Sequence, residues 1–327
     1  MEKLLPDRHK NNDFFICDVF DSFKDDVASM EHPIFSLSKK PDFRLLEYEN
    51  NGNTIKIKPS WTGLATIFDK DVLLYVISAM MRAKNNGKQV SKVVRFTSYD
   101  YLISTNKSTG GRSYALLKDA LSRLKGTVIE TNIEAGGLRV NEEFSLIDRW
   151  REIREDDNDD GRVIALEVEL SSWMFNAVLG GGVLTIDRDY FRLRKPTERR
   201  LYELARKHCG NQKAWKIGLD KLRLKLGVTR PAYKLRFDLI KLAESNHLPE
   251  YNISIENDVV KFTRKTPPVA ESGFKPGAVS KKDLEAVARP SETYADVSKR
   301  VNNKSIKEKK SKKEVIAELR KATGGSR

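Results

Sequence analysis

The stretch Thr97 to Ile147, TSYDYLISTNKSTGGRSYALLKDALSRLKGTVIETNIEAGGLRVNEEFSLI, decides the fold. Thr97 or Ser98 caps a brief helix through Ile103, because a short hydroxyl side chain accepts from an otherwise unpaired first-turn N–H. Ser108-Thr109-Gly110-Gly111 then turns the chain. Leu117, Leu121 and Leu124 recur at helical spacing, so a second helix follows, and Gly126 ends it. Thr127 to Ile133 reads as a strand, Ala135-Gly136-Gly137 as a tip, and Leu138 to Ile147 as the returning strand. Upstream, Asp69 is a good N-cap for a helix with Val72, Leu73, Val76, Ile77 and Met80 on one face, stopped at Asn85-Asn86-Gly87. Lys92 to Phe96 is a short strand. The order is helix, short strand, helix, turn, helix, hairpin, which is a helix-turn-helix followed by a β-hairpin wing.

The pattern recurs downstream. Ile164, Leu166, Val168 and Leu170 share one face of a strand, and Ser171 caps a helix carrying Trp173, Met174, Phe175 and Val178. Gly180-Gly181-Gly182 breaks the chain. Lys195 to His208 is helical with Leu201, Leu204 and Ala205 inward, and Leu219 to Leu226 is a short amphipathic helix ended by Gly227. Pro231 sits in the first turn of a last helix, whose inward residues are read as Tyr233, Phe237, Ile240 and Leu242. A second hairpin crosses Asn257-Asp258.

Working outward, Phe43 to Tyr48 and Thr54 to Lys58 form a hairpin across Asn50-Asn51-Gly52-Asn53. From Thr266 onward Pro and Gly break regular structure, and beyond Lys299 lysine dominates. The expected fold class is α+β: two tandem winged-helix domains at 61–155 and 162–265, after an N-terminal extension (1–60) and before a flexible basic tail (266–327).

The 327 residues carry 60 Lys and Arg against 46 Asp and Glu, a formal net charge of +14. Such an excess favours polyanionic partners, nucleic acid above all. Only Cys17 and Cys209 are present, which excludes a disulfide framework and fits a reducing compartment. Met1 to Asp18 has scattered charge and no long apolar run, and no stretch reaches the roughly 18 apolar residues of a membrane span. A soluble, cytoplasmic protein is expected.

Catalytic constellations fail one by one. The four histidines, His9, His32, His208 and His247, offer no His-x-His pair for a metal-dependent nickase. There is no P-loop, because Asn86-Gly87-Lys88 lacks the first glycine and the hydroxyl residue. No Gly-x-Ser-x-Gly elbow occurs. Asp156 to Gly161 with Glu167 fits the spacing of a calcium loop, but such a loop needs a following helix and Ile164 to Leu170 alternates as a strand. An acidic, solvated linker explains it better. No enzyme activity, cofactor or metal is expected.

The expected DNA-contacting residues lie at two helix starts and two wings, since the second helix of a helix-turn-helix enters the major groove by its N-terminal residues. The first unit offers Ser108, Thr109, Arg112, Ser113 and Lys118, with Arg139 on its wing. The second offers Thr229, Arg230, Tyr233, Lys234 and Lys241, with Lys261, Arg264 and Lys265 on its wing. Hydroxyls and helix-start N–H groups suit phosphates, and Arg112 suits a guanine. Each of these residues read alone is equally compatible with a solvated helix face.

Four segments resemble the replication initiator protein A family of bacterial plasmids: His32 to Pro41, Pro59 to Asp71, Ser108 to Tyr114 and Pro196 to Glu203. The resemblance spans roughly residues 30 to 265 and leaves out the tail. It implies an initiator that binds repeats in double-stranded origin DNA, promotes local opening and recruits the host helicase and initiation proteins. It implies no nuclease or ATPase activity, and an equilibrium between DNA-active monomers and homodimers that repress the protein's own gene. The competing reading is a winged-helix transcriptional regulator or autoregulatory repressor without initiator activity.

Overall fold

The computed structural model describes residues 4–9, 17–18, 34–50, 53–87, 89–132, 134–135, 138–139, 141–154, 163–179, 184–209 and 212–265. The acidic run Asp156 to Gly161, Gly180-Gly181-Gly182, His32, the side chain of Arg139 and the tail from Thr266 lie outside the described residues.

The first hydrophobic cluster forms around helix α1 (Lys70–Asn85), whose stripe Val72, Leu73, Val76, Ile77 and Met80 is at most 2% exposed. Asp69 stands at the N-cap position but caps nothing within the helix. Its carboxylate accepts the Thr66 N–H (2.8 Å) and the Arg123 guanidinium (2.7 and 2.8 Å) instead. Strand β4 (Val93–Phe96) leads into α2 (Ser98–Ser104), where Thr97 Oγ1 accepts the Asp100 N–H at 3.0 Å. Helix α3 (Gly111–Gly126) buries Leu117, Ala120, Leu121 and Leu124.

The hairpin after α3 pairs β5 (Val128–Thr131) with β8 (Glu142–Ser145). Between them lie the short pair β6 (Glu134–Ala135) and β7 (Leu138–Arg139). The expected continuous return to Ile147 is broken at Leu146. The chain there enters β9 (Ile147–Arg154), which belongs to a different sheet. The N-terminal hairpin, β2 (Leu46–Asn50) and β3 (Asn53–Lys58), is no separate extension. β3 pairs with β5 to give a sheet of order β2-β3-β5-β8, and Ile55 and Ile57 pack in the same core as Ile129. An alternating strand with one apolar face must bury it, and the free edge of β5 supplies the place.

Sequence reading opens the second unit with the strand around Ile164. In the structure that strand, β10 (Val163–Leu170), lies between β4 and β9, and Leu166, Val168 and Leu170 pack in the first cluster. So do Met174, Phe175 and Val178 of helix α4 (Ser172–Leu179). Ladder partners, not position in the chain, decide where a strand belongs.

The second cluster gathers a 3-10 turn (Arg188–Arg192), α5 (Pro196–Cys209), β12 (Ala214–Gly218), α6 (Leu219–Leu226), α7 (Ala232–Ser245), β13 (Tyr251–Glu256) and β14 (Val259–Arg264). Its sheet order is β12-β14-β13, and a further short pair joins β1 (Cys17–Asp18) to β11 (Leu184–Thr185). Asn257 and Asp258 both take left-handed φ (46° and 59°), as a two-residue turn of the I′ kind requires. Strand β12, the 3-10 turn and β11 are missing from the sequence reading. The inward stripe of α7 also differs from expectation: Leu235, Leu239 and Leu242 are buried, whereas Tyr233, Phe237 and Ile240 are 68%, 57% and 38% exposed. Both sets have helical spacing, and a helix lying on one core buries only one of two such faces.

A buried ionic network joins the clusters. Asp71 of α1 is 0% exposed and accepts Lys107 Nζ (2.5 Å) and Arg199 of α5 (2.6 Å). Lys70 meets Glu203 at 3.1 Å, and Glu203 also accepts the Tyr190 hydroxyl (2.7 Å). The Arg199 guanidinium lies over the rings of Phe68 and Tyr190. Leu74 of α1 packs within the second cluster. Among the described residues no helix is long and apolar enough to cross a membrane.

Candidate nucleic-acid interface

At the start of α3, Ser108, Thr109 and Arg112 are exposed and Ser113 is half-buried. The Ser108 and Ser113 hydroxyls lie 2.7 Å apart and tie the turn to the first turn of the helix. Gly110 occupies the N-cap, so no side chain competes for the leading N–H groups. Arg112 makes no ion pair among the described residues. Lys118, one turn later, is not a free cation as expected, because it meets Glu152 at 2.5 Å. Burial works against ionising Glu152, yet the bonds from Lys118 and Arg154 prevail and its carboxyl lies below the usual range.

The start of α7 is arranged differently. Thr229 and Lys234 are exposed. Arg230, expected to reach DNA, is hydrogen-bonded to Asp238 of α7, and Arg236 is bonded to Asp258 at the hairpin tip. Tyr233 and Phe237 face solvent, and the Lys241 ammonium sits 4.0 Å from the Phe237 ring centroid.

On the second hairpin, Lys261 is exposed on β14, opposite Lys216 of β12 and Ser254 of β13. Arg264 is turned inward, 15% exposed, with Glu250 at 3.6 Å. Lys265 donates to the Asn246 and Leu248 carbonyls, both at 2.8 Å, and so closes the end of α7. Burial pushes its ammonium pKa down. Arg264 is thus drawn toward Glu250, while Lys265 stays exposed but tied to the end of α7.

Sequence reading missed four cations. Arg8, Lys39, Lys40 and Arg194 line a cleft of about 670 Å³ that reaches Ser108 and Ser113 at the start of α3. All four are exposed and make no ion pair among the described residues. They lie far apart in the chain, and only Lys39-Lys40 was legible as a cationic pair.

The described residues contain no group of three His, Cys, Asp or Glu able to hold a metal. Glu167, which would close the calcium loop, lies in β10 and accepts from Arg95 (3.2 Å) and Arg151 (2.7 Å). His208 stacks on Trp215, His247 Nδ1 is 2.7 Å from Ser245 Oγ, and burial pushes the Cys209 thiol up.

Fold and site together define a mixed α/β protein with two similar helix–strand–helix–helix–hairpin orders and exposed cations at the helix starts. Crystal structures of domains 2 and 3 of RctB are similar to it in fold. A selenomethionine form matches with a TM-score of 0.55 at 13% identity, covering 73% of this chain and 97% of that one. A second matches at 0.50 and 14%, covering 71% and 95%. A relative from Wigglesworthia glossinidia brevipalpis, named "Putative replication protein", is 43% identical over 267 residues, 80% of this chain and 96% of its own length. The chain belongs to the replication initiator protein A family, whose model matches residues 24–253. It is a replication initiator.

Proposed function

We propose that the protein starts replication of a plasmid by binding repeated double-stranded sites at the origin through two winged helices. It opens the adjacent duplex and recruits host replication proteins, and it acts by binding alone. The observation that carries this reading is the twofold order of helix, strand, helix, helix and hairpin, with α3 and α7 each presenting an exposed start. Arg112, Lys234 and Lys261 are the leading contacts within it. Arg8, Lys39, Lys40 and Arg194 extend the basic surface of the first winged helix toward phosphates.

A plasmid carrying the gene and its flanking DNA, introduced into a host with no other source of initiator, tests the reading. Maintained colonies are expected, and their absence despite expression sinks it in favour of a regulator. In solution, contact with about six phosphates makes affinity fall about a thousandfold between about 50 and 200 mM salt. A flat salt response removes DNA binding from the proposal. A nicked or covalent product on supercoiled origin DNA with a divalent metal removes the claim that binding is all it does.

A further inference from the structure

The exposed face of α7 carries an apolar stripe where a groove-entering helix is ordinarily cationic. Tyr233, Phe237 and Ile240 recur at i, i+4 and i+7, opposite the buried stripe Leu235, Leu239 and Leu242. The arginines that would read guanine from this helix are already engaged, Arg230 by Asp238 and Arg236 by Asp258. What remains at the start is Thr229, Tyr233 and Phe237, flanked by Lys234 and Lys241. Only one base edge in the major groove is apolar, the C5-methyl of thymine, and a phenyl ring or a threonine methyl is its ordinary partner.

We propose that α7 reads thymine methyl groups, with Tyr233 and Phe237 packed against them and Lys234 and Lys241 holding the flanking phosphates. The Lys241 ammonium lies over one face of the Phe237 ring, and the ring stays largely exposed. Arg112 of α3, which makes no ion pair among the described residues, suits guanine, so the two helices read different base chemistry. The inference rests on the reading of α7 as a groove-entering helix.

The test begins with selection of duplexes by the full-length chain from a random-sequence library. The most enriched duplex is then made with deoxyuridine in place of thymidine, one position at a time, which removes the methyl and keeps every hydrogen bond. Clustered thymines are expected in one part of the site, and each deoxyuridine there should lower affinity about fourfold. Tyr233→Ala and Phe237→Ala, both at exposed positions, should bind the two duplexes equally and more weakly than wild type binds the thymidine form. Phe237→Leu keeps an apolar contact and should retain the preference. Equal wild-type affinity for the thymidine and deoxyuridine forms at every position overturns the proposal while leaving DNA binding intact. So do alanine variants with full affinity and preference, the outcome given by a face that docks a protein. If wild type enriches no duplex, the groove reading falls and the thymine assignment falls with it.

Discussion

At the start of α3, Arg112 makes no ion pair among the described residues, and Ser108 and Ser113 pair their hydroxyls. At the start of α7, Arg230 is held by Asp238 and aromatic rings take the outer face. The two helices hold the same place in similar element orders. Composition alone ranks α7 as the stronger DNA helix, because its start is richer in Lys and Arg. The structure reverses this for arginine. A cation bonded to a nearby carboxylate presents less net charge, so counting charge along a sequence overstates what a surface presents.

The comparison breaks most severely at the joint between the clusters. Asp71→Asn leaves Arg199 and Lys107 facing a neutral amide in a buried site. This should cost about 3–5 kcal/mol in a urea unfolding titration. Amide exchange should rise at Lys107 to Gly110, ahead of α3, more than at the start of α7, and an equal rise at both ends would show that the network favours neither helix.

Next in size is the arginine contrast. Arg112→Ala should cost about 1–3 kcal/mol of site-specific binding in an equilibrium titration. Arg230→Ala should cost less than about 1 kcal/mol, because its exposed pair with Asp238 is lost along with it. Equal losses would show that Arg230 leaves Asp238 when DNA arrives. A smaller effect follows from Asp238→Ala, which frees Arg230. The salt slope of binding should steepen by about one unit, with thermal stability almost unchanged. An unaltered slope would place Arg230 off the DNA.

Acid should separate the clusters most gently. The hydrogen bond from Arg44 holds the Asp42 carboxyl at about 2, and the bond from Lys92 keeps Glu169 below the usual range. Folded values below the unfolded ones stabilise the first cluster above about pH 4, and this is lost as pH falls toward 2. Asp187, beside the second cluster, is raised by burial, as are Glu142 and Asp148 of the first, so protonation of these three on acidification relieves a cost instead. Fluorescence of single-tryptophan variants should report loss of structure at Trp150 before Trp215, and the reverse order would contradict this assignment.

The sequence by itself determined the elements whose signals are local. The stripes of α1 and α3, the Thr97 cap, the Gly227 stop and the Asn257-Asp258 turn each follow from side chains within a few residues of one another. The family segments were legible for the same reason, as runs of contiguous residues. Tertiary structure alone decided the rest. It placed β10 and α4 on the first core, joined the N-terminal hairpin to β5, and chose the leucine face of α7 over the aromatic one. It also brought Arg8, Lys39, Lys40 and Arg194 to one cleft and withdrew Arg230, Arg264 and Lys118 into ion pairs. In most of these cases the deciding partner lies far away in the chain, the Arg230–Asp238 pair being the nearest at eight residues, and neither spacing nor charge at one position carries the identity of a partner.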